Sequence, residues 1–271
     1  MDEGRGELAE IAREARVLLE RERARGRTRL VVGDLAARPS QAPSGWASGP
    51  ETVEVLALPG FESVVPPTHP VSIPVSQPLA PSADLPQDLS ALATLVSTCR
   101  KCGLCETRTQ TVFADGPPTA RLLLVGEAPG RDEDAQGLPF VGRAGQLLNK
   151  MLTAIDLKRE EVYICNVLKC RPPENRTPQP EEVERCLPYL EQQIALIRPS
   201  LICALGLSAA QALLRTKASM TSMRGRVFEF RGVRLIPTYH PAALLRNPGL
   251  KREAWADLQQ VRDLLHAGGA A

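Results

Sequence analysis

Four short apolar runs, at 122–125, 162–167, 201–205 and 234–237, constrain this chain more than any other feature. Each has the length of a buried strand. Helical patterns lie between them at 145–155, 180–197 and 208–214, and a last one covers 251–265. Strand and helix in alternation imply βαβ units, hence a parallel sheet covered on both faces. The predicted fold class is α/β: a doubly wound, central four-stranded parallel sheet flanked by helices in three α/β/α layers. Thr177-Pro178 with Glu181 and Glu182 predicts a helix start there, because proline and negative charge suit a first turn.

The rest of the chain reads differently. Residues 1–37 form a charged segment in which Leu8, Ile11, Ala15, Leu18 and Leu19 recur at helical spacing. Residues 38–88 hold eleven of the 24 prolines and one basic residue, Arg38. Proline removes backbone donors and breaks helix and sheet alike, so this stretch reads as a disordered or extended linker. The folded unit is predicted over 89–271.

Composition narrows the function classes. Apolar residues make up 43% but aromatics only 4%, so the core must be aliphatic. No stretch reaches the roughly 18 consecutive apolar residues of a membrane span. The N-terminus is charged from its second residue, unlike a secretory signal. A cytoplasmic protein without a membrane partner is expected. The net charge is only +2, yet from Ser90 onward 24 Lys and Arg face 18 Asp and Glu. A mildly basic half suits a nucleic-acid partner, although an ordinary solvated surface has the same balance.

Seven cysteines in such a protein point to metal or catalysis rather than disulfides. Cys99, Cys102 and Cys105 form C-x2-C-x2-C before the first strand. Cys170 follows the second, and Cys186 lies in the next helix. Grouped thiolates suit zinc or an iron–sulfur cluster. The wide second spacing weakens zinc, which favours paired short knuckles. Cys165 and Cys203, inside strands, read as small buried hydrophobes.

Parallel sheets bind ligands beyond the carboxyl ends of their strands. There the first strand runs into Gly126, Pro129 and Gly130, small residues that let a ligand approach the backbone. This turn lacks the pattern of a P-loop or a dinucleotide site. Asn166 is a polar side chain in an apolar run, either a bonded core amide or a reader of ligand. Of three histidines, His69 lies in the linker and His266 near the tail, leaving His240 as the one a strand end would present.

The segments GEAPGRDEDAQGLPFVGRAGQLL, YICNVLKCRPPENRTP and YHPAALLRNP resemble, in order and spacing, the motifs of family 4 uracil-DNA glycosylases. The resemblance covers roughly 95–265. It implies excision of uracil from DNA, a doubly wound fold, uracil-containing DNA as partner, action as a monomer, and a [4Fe–4S] cluster. The implied cluster ligands are Cys99, Cys102, Cys170 and Cys186, with Cys105 on a non-ligand position. The implied pocket is the Gly126-Glu127-Ala128 backbone, Phe140 stacking on the flipped base, Asn166 reading its edge and His240 at O2. The loop 241–248 resembles the segment that enters the minor groove. Family 1 enzymes carry Asp where this chain has Ala128, and a thymine-blocking Tyr where it has Gly130. Glu127 is the expected substitute for steric exclusion and is counted with His240 and Asn166 among the catalytic candidates. Glu133 and Asp134 read either as electrostatic, water-positioning groups or as a solvated acidic loop.

Overall fold

The computed structural model describes residues 80–267. The helix expected near the N-terminus and most of the proline-rich stretch fall outside them. The end of that stretch does not: Gln192 accepts from the Ser82 N–H at 2.7 Å and donates to the Pro86 carbonyl at 2.9 Å. Leu85 packs against the core, so the folded unit takes hold of the chain before residue 89.

The elements are α1 (Leu89–Ser97), β1 (Leu122–Gly126), α2 (Arg131–Gln136), α3 (Arg143–Thr153), β2 (Tyr163–Asn166), α4 (Pro180–Ile197), β3 (Leu201–Leu205), α5 (Leu207–Leu214), α6 (Met220–Met223), β4 (Phe228–Phe230), β5 (Val233–Thr238), α7 (Pro241–Arg246) and α8 (Lys251–Ala267). Strand order is β2-β1-β3-β5-β4. Strands β1, β2, β3 and β5 run parallel, as the apolar runs implied. Beyond this four-stranded parallel sheet, β4 adds an antiparallel edge. Arg231 (φ 48°) and Gly232 (φ 85°) make the two-residue turn between β4 and β5, with the positive φ pair that such hairpins require. Three residues are too few to show a period in sequence.

Alternation along each strand divides the core. Leu123 and Val125 of β1 join the layer packed with α1, α4 and α5, whereas Leu122 and Leu124 join the layer packed with α3 and α8. Both faces are apolar, which is why the strands read as continuous runs. Cys165 and Cys203 lie fully buried, one in each layer. Burial pushes both thiols up, Cys203 to about 12, so they are inert packing residues as read.

Helix α4 has the bounds of the helical pattern read over 180–197. Pro180 opens the helix, and Glu182 accepts from the Gln179 N–H at 2.8 Å. The outer edge of β2 is covered by Asp115, which exchanges both backbone hydrogen bonds with Ile164 at 2.9 and 2.8 Å. Val112 continues this cover by donating to the Lys169 carbonyl.

Candidate active site

The chain leaves β1 for β2 on one side and returns to β3 on the other, so the strand order switches direction next to β1. A crevice opens beyond the carboxyl ends at such a point. One pocket there is lined by Glu127, Ala128, Phe140, Asn166 and His240 among others. The structure thus brings together side chains separated by more than a hundred residues of sequence. Gly126 lies under the pocket: a Cβ on it would fall 2.3 Å from Asn166 Oδ1 and 2.6 Å from Phe140 Cζ. The bare backbone is what allows amide and ring to close over it.

Asn166 ends β2 and is 2% exposed. Its Oδ1 is buried without a hydrogen-bond partner among the described residues. Native interiors rarely leave an acceptor so, and one in a pocket wall marks a place where a donor arrives with the ligand.

His240 is the N-cap of α7, and its Nδ1 accepts from the Ala242 N–H at 3.1 Å. That bond places the ring proton on Nε2, leaving Nε2–H free to donate. Burial, helped by the Arg246 charge, lowers its pKa from 6.5 to about 4. The imidazole is therefore neutral at physiological pH. Its ring lies 5.4 Å from that of Phe140, inclined by 29°. Gly206, with φ 98°, leaves room for it: a Cβ there would meet the His240 Cβ at 3.0 Å.

Phe140 has φ 52°, a left-handed conformation costly for a bulky residue. Three supports hold it, and none was found by sequence reading. Arg159 donates to the Phe140 carbonyl at 3.1 Å and the Pro139 carbonyl at 2.6 Å while paired with Asp115. Gly145 sits against the Phe140 backbone, where a Cβ would clash at 1.7 Å. Glu133 accepts from Val141 and Gly142 at 2.9 Å each and from Gly130 at 3.1 Å. Its carboxylate is consumed by backbone N–H groups that tie the turn after β1 to the turn after Phe140. Asp134, 3% exposed, likewise takes the Thr109 N–H. These bonds replace the sequence alternatives for both residues with a structural role. A glycine N-cap followed by Glu three residues on is the signal that could have shown this for Glu133. Glu127 lines the pocket, and its carboxylate makes no hydrogen bond among the described residues.

A second cavity lies on the α1–α4 face. It is lined by Cys99, Cys102, Cys105, Cys170 and Cys186, with Arg108, Lys169 and Tyr189. All are free thiols. Arg108 donates to Cys170 Sγ at 3.0 Å, the Lys169 backbone N–H to Cys186 Sγ at 3.3 Å, and the Tyr189 hydroxyl to Cys99 Sγ at 3.3 Å. Burial pushes the Cys186 thiol up to about 12. Only a strong positive neighbour would hold it as thiolate. Among the described residues no three His, Cys, Asp or Glu converge closely enough to hold a single metal ion. Five thiols nevertheless line this one cavity, a donor set of the kind that zinc and iron–sulfur groups both use. Cys99 and Cys102 pack against the core layer and Cys105 does not.

The uracil DNA glycosylase superfamily model matches residues 113–259. The chain is 45% identical over 186 residues to a type-4 uracil-DNA glycosylase of Archaeoglobus fulgidus, covering 66% of this chain and 94% of that protein. It is 46% identical over 179 residues to one of Pyrobaculum aerophilum, covering 63% and 91%. A third, from Thermotoga maritima, is 43% identical over 178 residues, covering 64% and 93%. With its pocket at the switch point and its cysteine cavity alongside, the chain belongs to the uracil-DNA glycosylase superfamily, in the type-4 branch.

Proposed function

We propose that this protein excises uracil from DNA, hydrolysing the N-glycosidic bond of deoxyuridine to release free uracil and leave an abasic site, the first step of base excision repair. The observation that carries this reading is the buried Asn166 Oδ1, without a partner among the described residues, beside Phe140 and His240 in one pocket.

The base must leave the duplex to reach that pocket, at a cost of a few kcal/mol. Stacking on Phe140 recovers about 1–3 kcal/mol of it. Asn166 accepts from uracil N3–H through Oδ1 and donates to O4 through its amide nitrogen. Cytosine presents the reverse pattern and would leave buried groups unpaired, a strong rejection. Glu127, in the pocket wall, contributes to excluding thymine.

As the glycosidic bond breaks, negative charge gathers on uracil O2 and the sugar becomes oxocarbenium-like. Neutral His240 donates Nε2–H to that oxygen. A donor aimed at developing charge is worth about 3–4 kcal/mol. Ala128 offers no carboxylate to activate water, so stabilising the leaving base carries more of the barrier. Water then completes the hydrolysis.

Cys99, Cys102, Cys170 and Cys186 would hold a [4Fe–4S] cluster. The sulfur donors and the cations Arg108 and Lys169 that line the same cavity support that assignment. When bound, the cluster supplies a crosslink between the 99–105 loop, the end of β2 and α4, and excision needs no electron from it. The protein acts on DNA as a monomer in the cytoplasm, where thiols stay reduced.

The test is release of free uracil from a uracil-containing oligonucleotide, repeated with Asn166→Asp. The variant should lose its preference for uracil over cytosine. Selectivity equal to wild type would refute Asn166 as the reader.

A further inference from the structure

Lys169 is 1% exposed and among the largest fully buried side chains of the described residues. An ammonium is rarely buried unless an opposite charge accompanies it. Among the described residues no carboxylate pairs with this one. Nζ donates to two neutral oxygens, the Asn166 carbonyl at 2.8 Å and Gln193 Oε1 at 2.6 Å. The Phe113 ring faces it at 5.9 Å. The same residue lines the cysteine cavity and gives its backbone N–H to Cys186 Sγ.

One residue thus touches both functional regions. Its side chain fixes the peptide group of the base reader, and that peptide sets the direction of the Asn166 amide. The neighbouring cavity would supply the missing counter-charge if its thiolates held a cluster, since a cluster held by four thiolates would be an anion whose charge and hydrogen bonds set its potential.

We propose that Lys169 is a positioning residue that couples the two regions: its ammonium holds Asn166 in the reading position and is itself balanced by the anionic cluster among the cysteines. This rests on the reading above, in which Asn166 recognises uracil and the thiols bind a cluster. Losing the cluster would then strip Lys169 of its partner and loosen the reader, without any redox step in excision.

The experiment compares wild type with Lys169→Met and Lys169→Gln, each purified with its iron. Two quantities are read: inhibition by free uracil, and the reduction potential of the cluster. Met removes both hydrogen bond and charge. It should weaken uracil inhibition about tenfold, as loss of a supporting partner does, and move the potential to more negative values. Gln can still donate to the Asn166 carbonyl but carries no charge. It should recover uracil inhibition and leave the potential shifted. Wild-type values of both quantities in Lys169→Met would overturn the proposal. If neither neutral variant keeps its iron, Lys169→Arg decides. Iron retained there supports the counter-charge; iron lost there reduces Lys169 to a space-filler and overturns it. Asn166→Asp runs alongside. Undiminished uracil inhibition in that control would sink the underlying reading, and the coupling with it. A responsive control with an indifferent Lys169→Met sinks the coupling alone.

Discussion

Replacing Gly126 with alanine adds a single methyl group at the floor of the pocket. The backbone itself tolerates the change, because Gly126 is not among the glycines with positive φ. The added carbon would sit 2.3 Å from Asn166 Oδ1, 2.6 Å from Phe140 Cζ and 2.7 Å from Phe140 Cε2, where ordinary contact begins at 3.4 Å. Reader and stacking ring must therefore retreat by about 1 Å each. A misplacement of about 1 Å can reduce turnover about a hundredfold, equivalent to about 2.7 kcal/mol of barrier. Overpacking of this kind also destabilises by about 1–3 kcal/mol. Single-turnover excision at saturating enzyme separates the two effects, since a folded variant shows its chemical rate whatever its melting temperature. A folded Gly126→Ala protein that excises uracil at the wild-type rate would show that Asn166 and Phe140 do not act from the positions described.

Other predictions follow from the same geometry. His240→Ala should slow excision at least about tenfold, as removal of an oxyanion donor does; an unchanged single-turnover rate would remove His240 from the mechanism. The His240 pKa is depressed to about 4, so the unfolded chain binds the extra proton first as pH falls. Stability should be independent of this group above about pH 6.5 and decline between there and pH 4, by at most about 3 kcal/mol given the ring's opening to the pocket. Denaturant midpoints of wild type and His240→Asn should converge over that interval. Glu133→Gln can accept through only one oxygen and should raise KM and lower kcat together by releasing the turns at Gly130 and Val141, measured by steady-state excision. Cys105→Ser should keep its iron while Cys99→Ser loses it, read by iron content per chain after purification.

The elements that the sequence revealed are those whose burial is uniform. A strand covered on both faces can hardly avoid an apolar run, and Leu122 to Val125 or Leu201 to Leu205 are fully buried in the structure. Their carboxyl ends then locate Gly126, Asn166 and His240, which is why the pocket was legible. Elements set by local chemistry over a few residues were not. Helix α1 depends on the Asp88 side chain accepting from Ala91 at 2.8 Å, and β4 on a turn pair at Arg231 and Gly232. The supports of Phe140 were hidden for another reason. Arg159 reaches back across helix α3 to clamp two carbonyls, and nothing in its own neighbourhood announces that contact. Lys169 looked like one more charge in LKCRPP, and only its complete burial sets it apart.

The two borders of the sheet are guarded unequally. At β4 the border is three residues long and carries Glu229 outward, a length and charge that discourage pairing with another molecule. At β2 the protection is borrowed: the short Tyr163–Asn166 ribbon has its open side covered by Asp115 and the chain leading from the cysteine triplet. Should that covering chain come loose, an apolar ribbon with unpaired amides would face solvent. Protein damaged at the cysteines would then clump, edge on edge, before its helices melt. Light scattering would rise ahead of any change in circular dichroism.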